Sequence, residues 1–385
     1  MQTADLAALV ATPGGELEPE KYLRTFPALE RAKSTPQDPV YHGEGDVWTH
    51  TLMVLAALIH SEAYASASAD ERLVLFLAAL LHDVAKADTT RIDPVSGRIS
   101  QPGHSPRGAI DTRVLLWKAG LPFAQREAVC RLIAVHQLPF YLLSDARHDP
   151  ARQVRRLSWA LDTRLLAALA TADMQGRICA DKARVLDEIA LFQALCEEEG
   201  AWGQARSVAD AHTRLNYARH GIGHPDVQLY QEAGSRVTML CGLPASGKNT
   251  WVEMHCPDLA VVSFDDAKAE LGLRHGQNDG AAAHYAIDKA RDLLRRKQAF
   301  VWNATHLSTQ MRDKTLELLY RYQAEVRIVY LEQGHKELLR RNAKRDSTLR
   351  QRDLERMLHR WEVPLPWEAH QVDYLVGEER PTGKA

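Results

Sequence analysis

His82 and Asp83 stand side by side at the end of the apolar run LVLFLAALL, with Lys86 three residues on. Residues 71–90 read as a helix opened by an Asp70 cap and apolar on nearly every side from Leu73 to Leu81, so it is expected to cross a core. A carboxylate and an imidazole carried into such a place need compensation, because burying an unpaired charge is costly. A metal ion would supply it. Taken alone, the pair reads more simply as a helix-end residue and a satisfied core histidine. Four more donors overturn that reading: His50 in DVWTHTLMVLAALIH, His104 in PGHSPRGA, His136 in LIAVHQLPFY and Asp173 in LLAALATADMQGR. Imidazoles with carboxylates suit Zn, Mn, Fe, Co or Ni better than Ca, as one ion or two.

A second chemistry lies further along. The β-branched and apolar run RVTMLC (236–241) feeds directly into GLPASGKNTW. Gly242, four residues, Gly247 and Lys248 fit the G-x-x-x-x-G-K part of a P-loop, with Ser246, Asn249 and Thr250 in the same cradle. There, backbone N–H groups and a helix N-terminus hold the phosphates of ATP or another NTP, and Lys248 reaches the β/γ oxygens. The position expected to hold Mg²⁺ through a Ser or Thr hydroxyl is Asn249. Downstream, LAVVSFDD (259–266) reads as a strand ending in Asp265 and Asp266, followed by Lys268. Either a helix cap or catalysis would explain the aspartates, and one cap suffices.

The order H…HD…H…H…D resembles the HD superfamily of metal-dependent phosphohydrolases. The wording HTLMV, LLHDVAK, GHSPRGA and ADMQGR is similar to the HD domains appended to tRNA nucleotidyltransferases, over roughly residues 40–200. The arrangement GLPASGKNTW…SFDDAK…WNATH…RRNAKR resembles the phage-type polynucleotide 5′-kinases over roughly 236–362. That second resemblance implies Lys248 on the phosphates, Asp265 as general base on the attacking hydroxyl and Lys268 in place of the phage member's Arg. Arg341 and Arg345 would be lid arginines, Arg345 best placed for the transferring phosphoryl group. Asn303 stands where that kinase has Asp, which reduces its role to hydrogen bonding with the substrate.

The elements expected to position these residues fall into two halves, as 385 residues suggest. Helices are expected at 46–61, 70–87, 107–119, 123–137, 151–174 and 181–199 with no strand between them, an all-α bundle turning its His and Asp inward. The pattern breaks down over 200–236, and the boundary is placed near 220–235, giving an HD domain over 1–220, a linker over 221–235 and a kinase domain over 236–385. Strands at 236–241, 259–266, 299–306 and 326–332 alternate with helices at 281–297, 307–323, 335–345 and 351–360, an α/β domain with a mainly parallel sheet and ligands at its strand ends. Trp361 and Trp367 would wall a nucleobase pocket or close the core. The basic run around Arg341 and Arg345 reads as a solvated helix or lid because acidic residues are interspersed.

Composition excludes little. Apolar content is 45%, charged content 25% and net charge −2, as in a soluble globular protein. Five cysteines without paired spacing imply a reducing cytoplasm, and neither a signal peptide nor a membrane-spanning run is evident, so no membrane partner is expected.

Together the halves resemble bacterial bifunctional end-healing enzymes. The resemblance implies RNA or DNA ends as substrates and a nucleic-acid ligase as pathway partner. The HD half would remove 2′,3′-cyclic, 2′- or 3′-phosphates and the kinase half would phosphorylate 5′-OH ends. His50, His82, Asp83 and Asp173 would hold one metal, and His104 and His136 a second with Asp83 bridging. Lys86, Arg107 and Arg177 would face the phosphate, unless they form surface salt bridges. A small-nucleotide phosphohydrolase joined to a nucleoside or metabolite kinase uses the same motifs, as would a regulatory protein that binds metal and ATP without turnover. Arg152, Arg155 and Arg156 are candidates for a strand-binding groove.

Overall fold

A computed structural model of the chain describes residues 6–147, 149–273, 279–344 and 349–377. It divides into two compact units, residues 1–206 and 207–385. That division precedes the boundary expected at 220–235. The helix Ala211–His220 explains why, since its Arg214 donates to the His370 carbonyl and its Arg219 pairs with Asp313 at 2.9 Å, both in the second unit.

The first unit is a helical bundle around Ala69–Leu81, whose residues Leu73 to Leu81 are all buried. Its cap is Ser68 rather than Asp70: the Ser68 hydroxyl accepts from Glu71 N and the Glu71 carboxylate accepts from Ser68 N, a reciprocal capping box. Asp70 instead accepts from Gln125 at 2.9 Å. The helix also stops earlier than the expected 87. Residues 82–85 form a turn and a single helical turn resumes at Lys86–Thr89.

Around it lie Val47–Ile59, His104–Lys118, Phe123–Val135, Thr163–Gln175 and Lys182–Glu198. The expected helix over 151–174 is two, Pro150–Ser158 and Thr163–Gln175, because Asp162 caps a new start by accepting from Arg164 N. The bundle also carries one hairpin that helical periodicity did not anticipate, β1 (Arg91–Ile92) against β2 (Ile99–Ser100). Asp93 closes its turn by accepting from Val95 N and Ser96 N.

The second unit holds a five-stranded, all-parallel sheet of β3 (Arg236–Cys241), β4 (Ala260–Ser263), β5 (Phe300–Asn303), β6 (Glu325–Gln333) and β7 (Gln371–Gly377), in the order β4-β5-β3-β6-β7. β7 was not expected. The expected strand 259–266 ends at Ser263, whose hydroxyl caps the helix Phe264–Glu270 by accepting from Asp266 N at 3.0 Å. Likewise the strand expected to reach 306 stops at Asn303. Trp361 is fully buried, donating to the Tyr330 hydroxyl at 2.9 Å, and Trp367 is buried too, so both close the core. Among the described residues no helix is long and apolar enough to cross a membrane, and the five cysteines are unbridged.

One buried ion pair gives the first unit a testable acid limb. Arg113 and Arg126 contact the buried Glu127 at 2.8 and 3.0 Å. Burial opposes ionisation of Glu127, but the two guanidiniums outweigh it and hold its carboxyl at about 2. A depressed folded value stabilises above the ordinary carboxylate range, near pH ~4.3, and that contribution fades as pH falls through the folded value. Acid titration of unfolding should therefore be steeper over this interval for the wild type than for Glu127→Gln, and equal slopes would contradict the pairing.

Candidate metal centre and nucleotide cradle

Helix ends deliver the first set of side chains. His82 follows Leu81, the last residue of its helix, and His136 follows Val135 in the same way, while His104 opens its own helix. Each donates Nδ1–H to the carbonyl three residues back, Ala79, Gln101 and Ile133, at 2.8 Å in every case. A carbonyl can only accept, so Nδ1 carries the proton and Nε2 is left as a lone pair. His50 lies in the first turns of Val47–Ile59, a helix capped by Asp46, which accepts from Trp48 N and Thr49 N. Asp173 comes from Thr163–Gln175.

All six are buried and meet. His50 Nε2 is 3.1 Å from Asp173 Oδ1 and 3.7 Å from Asp83 Oδ2; His82 Nε2 is 3.1 Å from Asp83 Oδ2, and His104 Nε2 is 3.4 Å from Asp83 Oδ1. His136 Nε2 is 3.9 Å from Asp173 Oδ2. The two oxygens of Asp83 thus face different histidines, as a bridging carboxylate requires. Three overlapping triads, His50–His82–Asp83, His82–His136–Asp173 and Asp83–His104–His136, each hold ligand atoms within 4.8 Å of one another.

These atoms lack aligned partners. His50 Nε2, His82 Nε2, His136 Nε2 and both oxygens of Asp83 are buried and make no hydrogen bond among the described residues. Asp83 Oδ2 does lie 2.8 Å from Lys86 Nζ, but as an ion-pair contact out of line for a hydrogen bond. Orphaned acceptors of this kind are costly in a dry interior and match the donor set a divalent transition metal takes. The residues present therefore fit a metal.

The charges agree. Burial opposes ionisation of both aspartates, yet His82 with Lys86 holds Asp83, and Arg177 holds Asp173, well below the usual range. Burial pushes His136 down to about 3 and lowers His104, which keeps their lone pairs available. For His82, Asp83 outweighs burial and raises the imidazole, so a proton and a cation compete for the same nitrogen.

The expected phosphate-side cations separate. Lys86 is buried at the centre, donating to Gln37 Oε1 at 2.6 Å, and Arg177 grips Asp173 through two hydrogen bonds of 2.9 Å. Arg107 instead pairs with Asp111 on its own helix, at 2.5 and 2.9 Å. Sequence reasoning missed Gln37, His42 and Glu44. His42 and Glu44 stand in YHGEGD just ahead of Asp46, but nothing in that spacing marks them as partners of the cluster.

In the second unit the strand ends do the positioning. Gly242, just past β3, has φ +143°, and a Cβ there would meet the Leu331 carbonyl at 2.2 Å, so only glycine fits. Its N–H donates to the Thr305 carbonyl at 2.9 Å, pinning the loop to the end of β5. Ala245 and Gly247 also take left-handed φ, +65° and +103°. Lys248 opens the helix Lys248–His255 and donates to the carbonyls of Gly242 and Leu243 at 3.0 and 2.9 Å. The Ser246 hydroxyl is buried without a hydrogen bond among the described residues.

Asn249 and Asn303, the two departures from the kinase pattern, touch: Asn303 Nδ2 donates to Asn249 Oδ1 at 2.9 Å. Thr250, next to Asn249 in the same first helical turn, is exposed. Because Ser263 is the cap, Asp265 and Asp266 are spared that role and sit exposed in the first turn of Phe264–Glu270, with Lys268 further along it. Arg341 pairs with Glu337 at 2.6 Å and brings Nη1 within 3.4 Å of where a Gly247 Cβ would sit, against the phosphate loop. Arg345 lies outside the described residues.

Comparison with known proteins agrees with both halves. Residues 47–160 match the HD domain family and residues 237–364 the AAA domain family. The chain is an HD domain fused to a P-loop kinase-like domain. A multifunctional CCA protein of Halorhodospira halophila is 36% identical over 104 residues, 27% of this chain and 22% of that protein. An A-adding tRNA nucleotidyltransferase of Deinococcus radiodurans is 34% identical over 117 residues, 30% of this chain and 25% of that protein. The chain thus spans no more than a quarter of these relatives' length. Kti12 of Chaetomium thermophilum, solved with ADP-AlF3, is similar over 38% of this chain and 91% of that one, at 16% identity and a TM-score of 0.29.

The tightness at Gly242 predicts a selective lesion. Gly242→Ala should abolish ATP binding in a calorimetric titration while leaving the far-ultraviolet spectrum and the HD domain intact. Unchanged affinity would show that this loop is not the cradle.

Proposed function

We propose that this protein prepares broken nucleic-acid ends for rejoining, the HD domain hydrolysing 2′,3′-cyclic, 2′- or 3′-phosphates and the kinase-like domain phosphorylating 5′-hydroxyls. The observation that carries the reading is the convergence of unpaired Nε2 and carboxylate atoms on one buried point, in a chain that also holds a G-x-x-x-x-G-K loop with left-handed glycines. Two phosphate chemistries of opposite direction in one polypeptide make sense when one substrate needs both. The sequence resemblance described above supports that pairing.

In the HD domain, His50, His82, Asp83 and Asp173 would hold one divalent ion, with His104 and His136 holding a second across Asp83. Bound there, such an ion neutralises phosphate charge and activates water. The protein's own part is positional. Backbone carbonyls fix three imidazoles, Arg177 fixes Asp173, and Lys86 adds a buried positive charge beside Asp83. Arg107 would reach the phosphate only by leaving Asp111.

In the kinase-like domain, the Gly242–Lys248 loop would cradle the NTP phosphates with Ser246 and Thr250, and Asn249 would reach Mg²⁺ or a water on it. Asp265 would take the proton of the attacking hydroxyl, Lys268 and Asn303 would orient the acceptor, and Arg341 with Arg345 would neutralise the transferring group. Phosphoryl transfer asks mainly for this positioning and charge.

A second reading, a small-nucleotide phosphohydrolase joined to a nucleoside or metabolite kinase, is favoured by one observation. Arg155, a candidate for lining a strand groove, is held by Glu199 at 2.5 Å, as Arg107 is by Asp111.

The readings part on one substrate. An RNA carrying a 5′-OH and a 2′,3′-cyclic phosphate, incubated with ATP, Mg²⁺ and Mn²⁺, should change at both ends. Asp83→Ala should silence only the phosphoesterase, and Lys248→Ala or Asp265→Ala only the kinase. Hydrolysis or phosphorylation of free nucleotides with untouched RNA ends would transfer the assignment to the small-substrate reading.

A further inference from the structure

Glu44 is a carboxylate that neither half of the proposed chemistry uses. Its side chain is fully buried, its Oε1 accepts from His42 Nδ1 at 2.8 Å, and its Oε2 accepts from Ile178 N at 2.8 Å. The same Oε1 lies 2.9 Å from His50 Nδ1, at an angle too oblique for a good hydrogen bond. That nitrogen has no other hydrogen-bond partner among the described residues.

The contrast with the other imidazoles is informative. His82, His104 and His136 are each oriented by a neutral carbonyl, and His50 alone has a carboxylate behind it. A carbonyl fixes a tautomer and little more. A carboxylate also makes the opposite nitrogen a stronger donor.

Charge gives a second, independent argument. Asp83, Asp173 and Glu44 bring three buried carboxylates to the neighbourhood, against the two buried cations Lys86 and Arg177. The third carboxylate needs a proton or a metal ion on the imidazoles to balance it, and Glu44 contacts the cluster only through imidazole.

Glu44 is also tied to the far wall. Ile178 N donates to it, and the Gly43 N–H beside it donates back to the Ile178 carbonyl at 2.8 Å. A Cβ on Gly43 would meet that carbonyl at 2.9 Å. Ile178 directly follows Arg177, the partner of Asp173, so one strap holds the backs of two ligands, His50 and Asp173.

We propose that Glu44 is the orienting carboxylate of His50: it turns the His50 ring so that Nε2 faces Asp83 and Asp173, and it raises the cluster's affinity for a divalent ion. It acts through His50 as a positioning residue. The inference rests on the HD domain being a metal site but not on any activity.

The test is metal binding by the full-length protein. Protein stripped with chelator is titrated with Co²⁺, following both the visible ligand-field spectrum and competition with a chromogenic chelator. Glu44→Gln keeps the shape and removes the charge, and Glu44→Asp keeps the charge. Glu44→Gln should bind Co²⁺ about 10- to 100-fold more weakly than wild type with an altered spectrum, the usual cost of losing such a partner, and Glu44→Asp should recover part of both. Wild-type affinity and spectrum in Glu44→Gln would overturn the proposal, as would equal losses in Glu44→Asp and Glu44→Gln, which would mark a packing role. Failure of the wild type itself to bind Co²⁺ would instead overturn the metal reading beneath it.

Discussion

The hydrogen bond from an imidazole Nδ1 to a helix-end carbonyl is the constraint on which the HD domain depends. A helix terminus leaves carbonyls without partners, and a histidine placed there can satisfy one with its own side chain. His82 and His136 do this at the ends of two core helices, while His104 is held instead by the Gln101 carbonyl in the loop before its own helix. The same bond that finishes the helix aims a lone pair inward. The apolar helix Ala69–Leu81 is then more than filler, since its burial from Leu73 to Leu81 fixes where its terminus must lie. The cost of so many orphaned acceptors in a dry interior is what makes a bound cation the natural completion.

The kinase-like domain solves a related problem with backbone rather than side chains. Parallel strands end on one edge, and the loop after β3 is pinned to the end of β5 through Gly242 N and the Thr305 carbonyl. Lys248 donates to two carbonyls of its own loop, which closes the curve of the cradle onto the start of the following helix. The contact between Asn249 and Asn303 shows that the end of β5 and the helix after the phosphate loop are joined by an amide pair.

Much of this was legible in the sequence because the relevant signals are local. Long apolar runs located the helices, and the six clustered His and Asp residues stood out by type in or beside them. Glycine spacing after a β-branched run located the phosphate loop. What escaped was non-local or depended on competition between neighbours. Ser68 and Asp70 are both able to cap, and the Ser68–Glu71 reciprocity decides between them. Ser263 in turn takes the cap that could have occupied an aspartate, which ends β4 early. Glu44 was invisible because its meaning comes from Ile178, which the fold brings beside it from far along the chain. β7 was missed although QVDYLVG carries strand-favouring Val and Tyr; it lies parallel to β6 at one edge of the sheet.

The central claim is that the buried His and Asp cluster is a cation site built into the fold. It is tested most directly by following thermal unfolding of the metal-stripped protein as Mn²⁺ is added, in the wild type and in Asp83→Ala. A ligand that binds only the folded state raises the melting temperature with its concentration. The account predicts a rising, saturable shift in the wild type that is lost in Asp83→Ala. No shift in the wild type, or the same shift in both proteins, would contradict it.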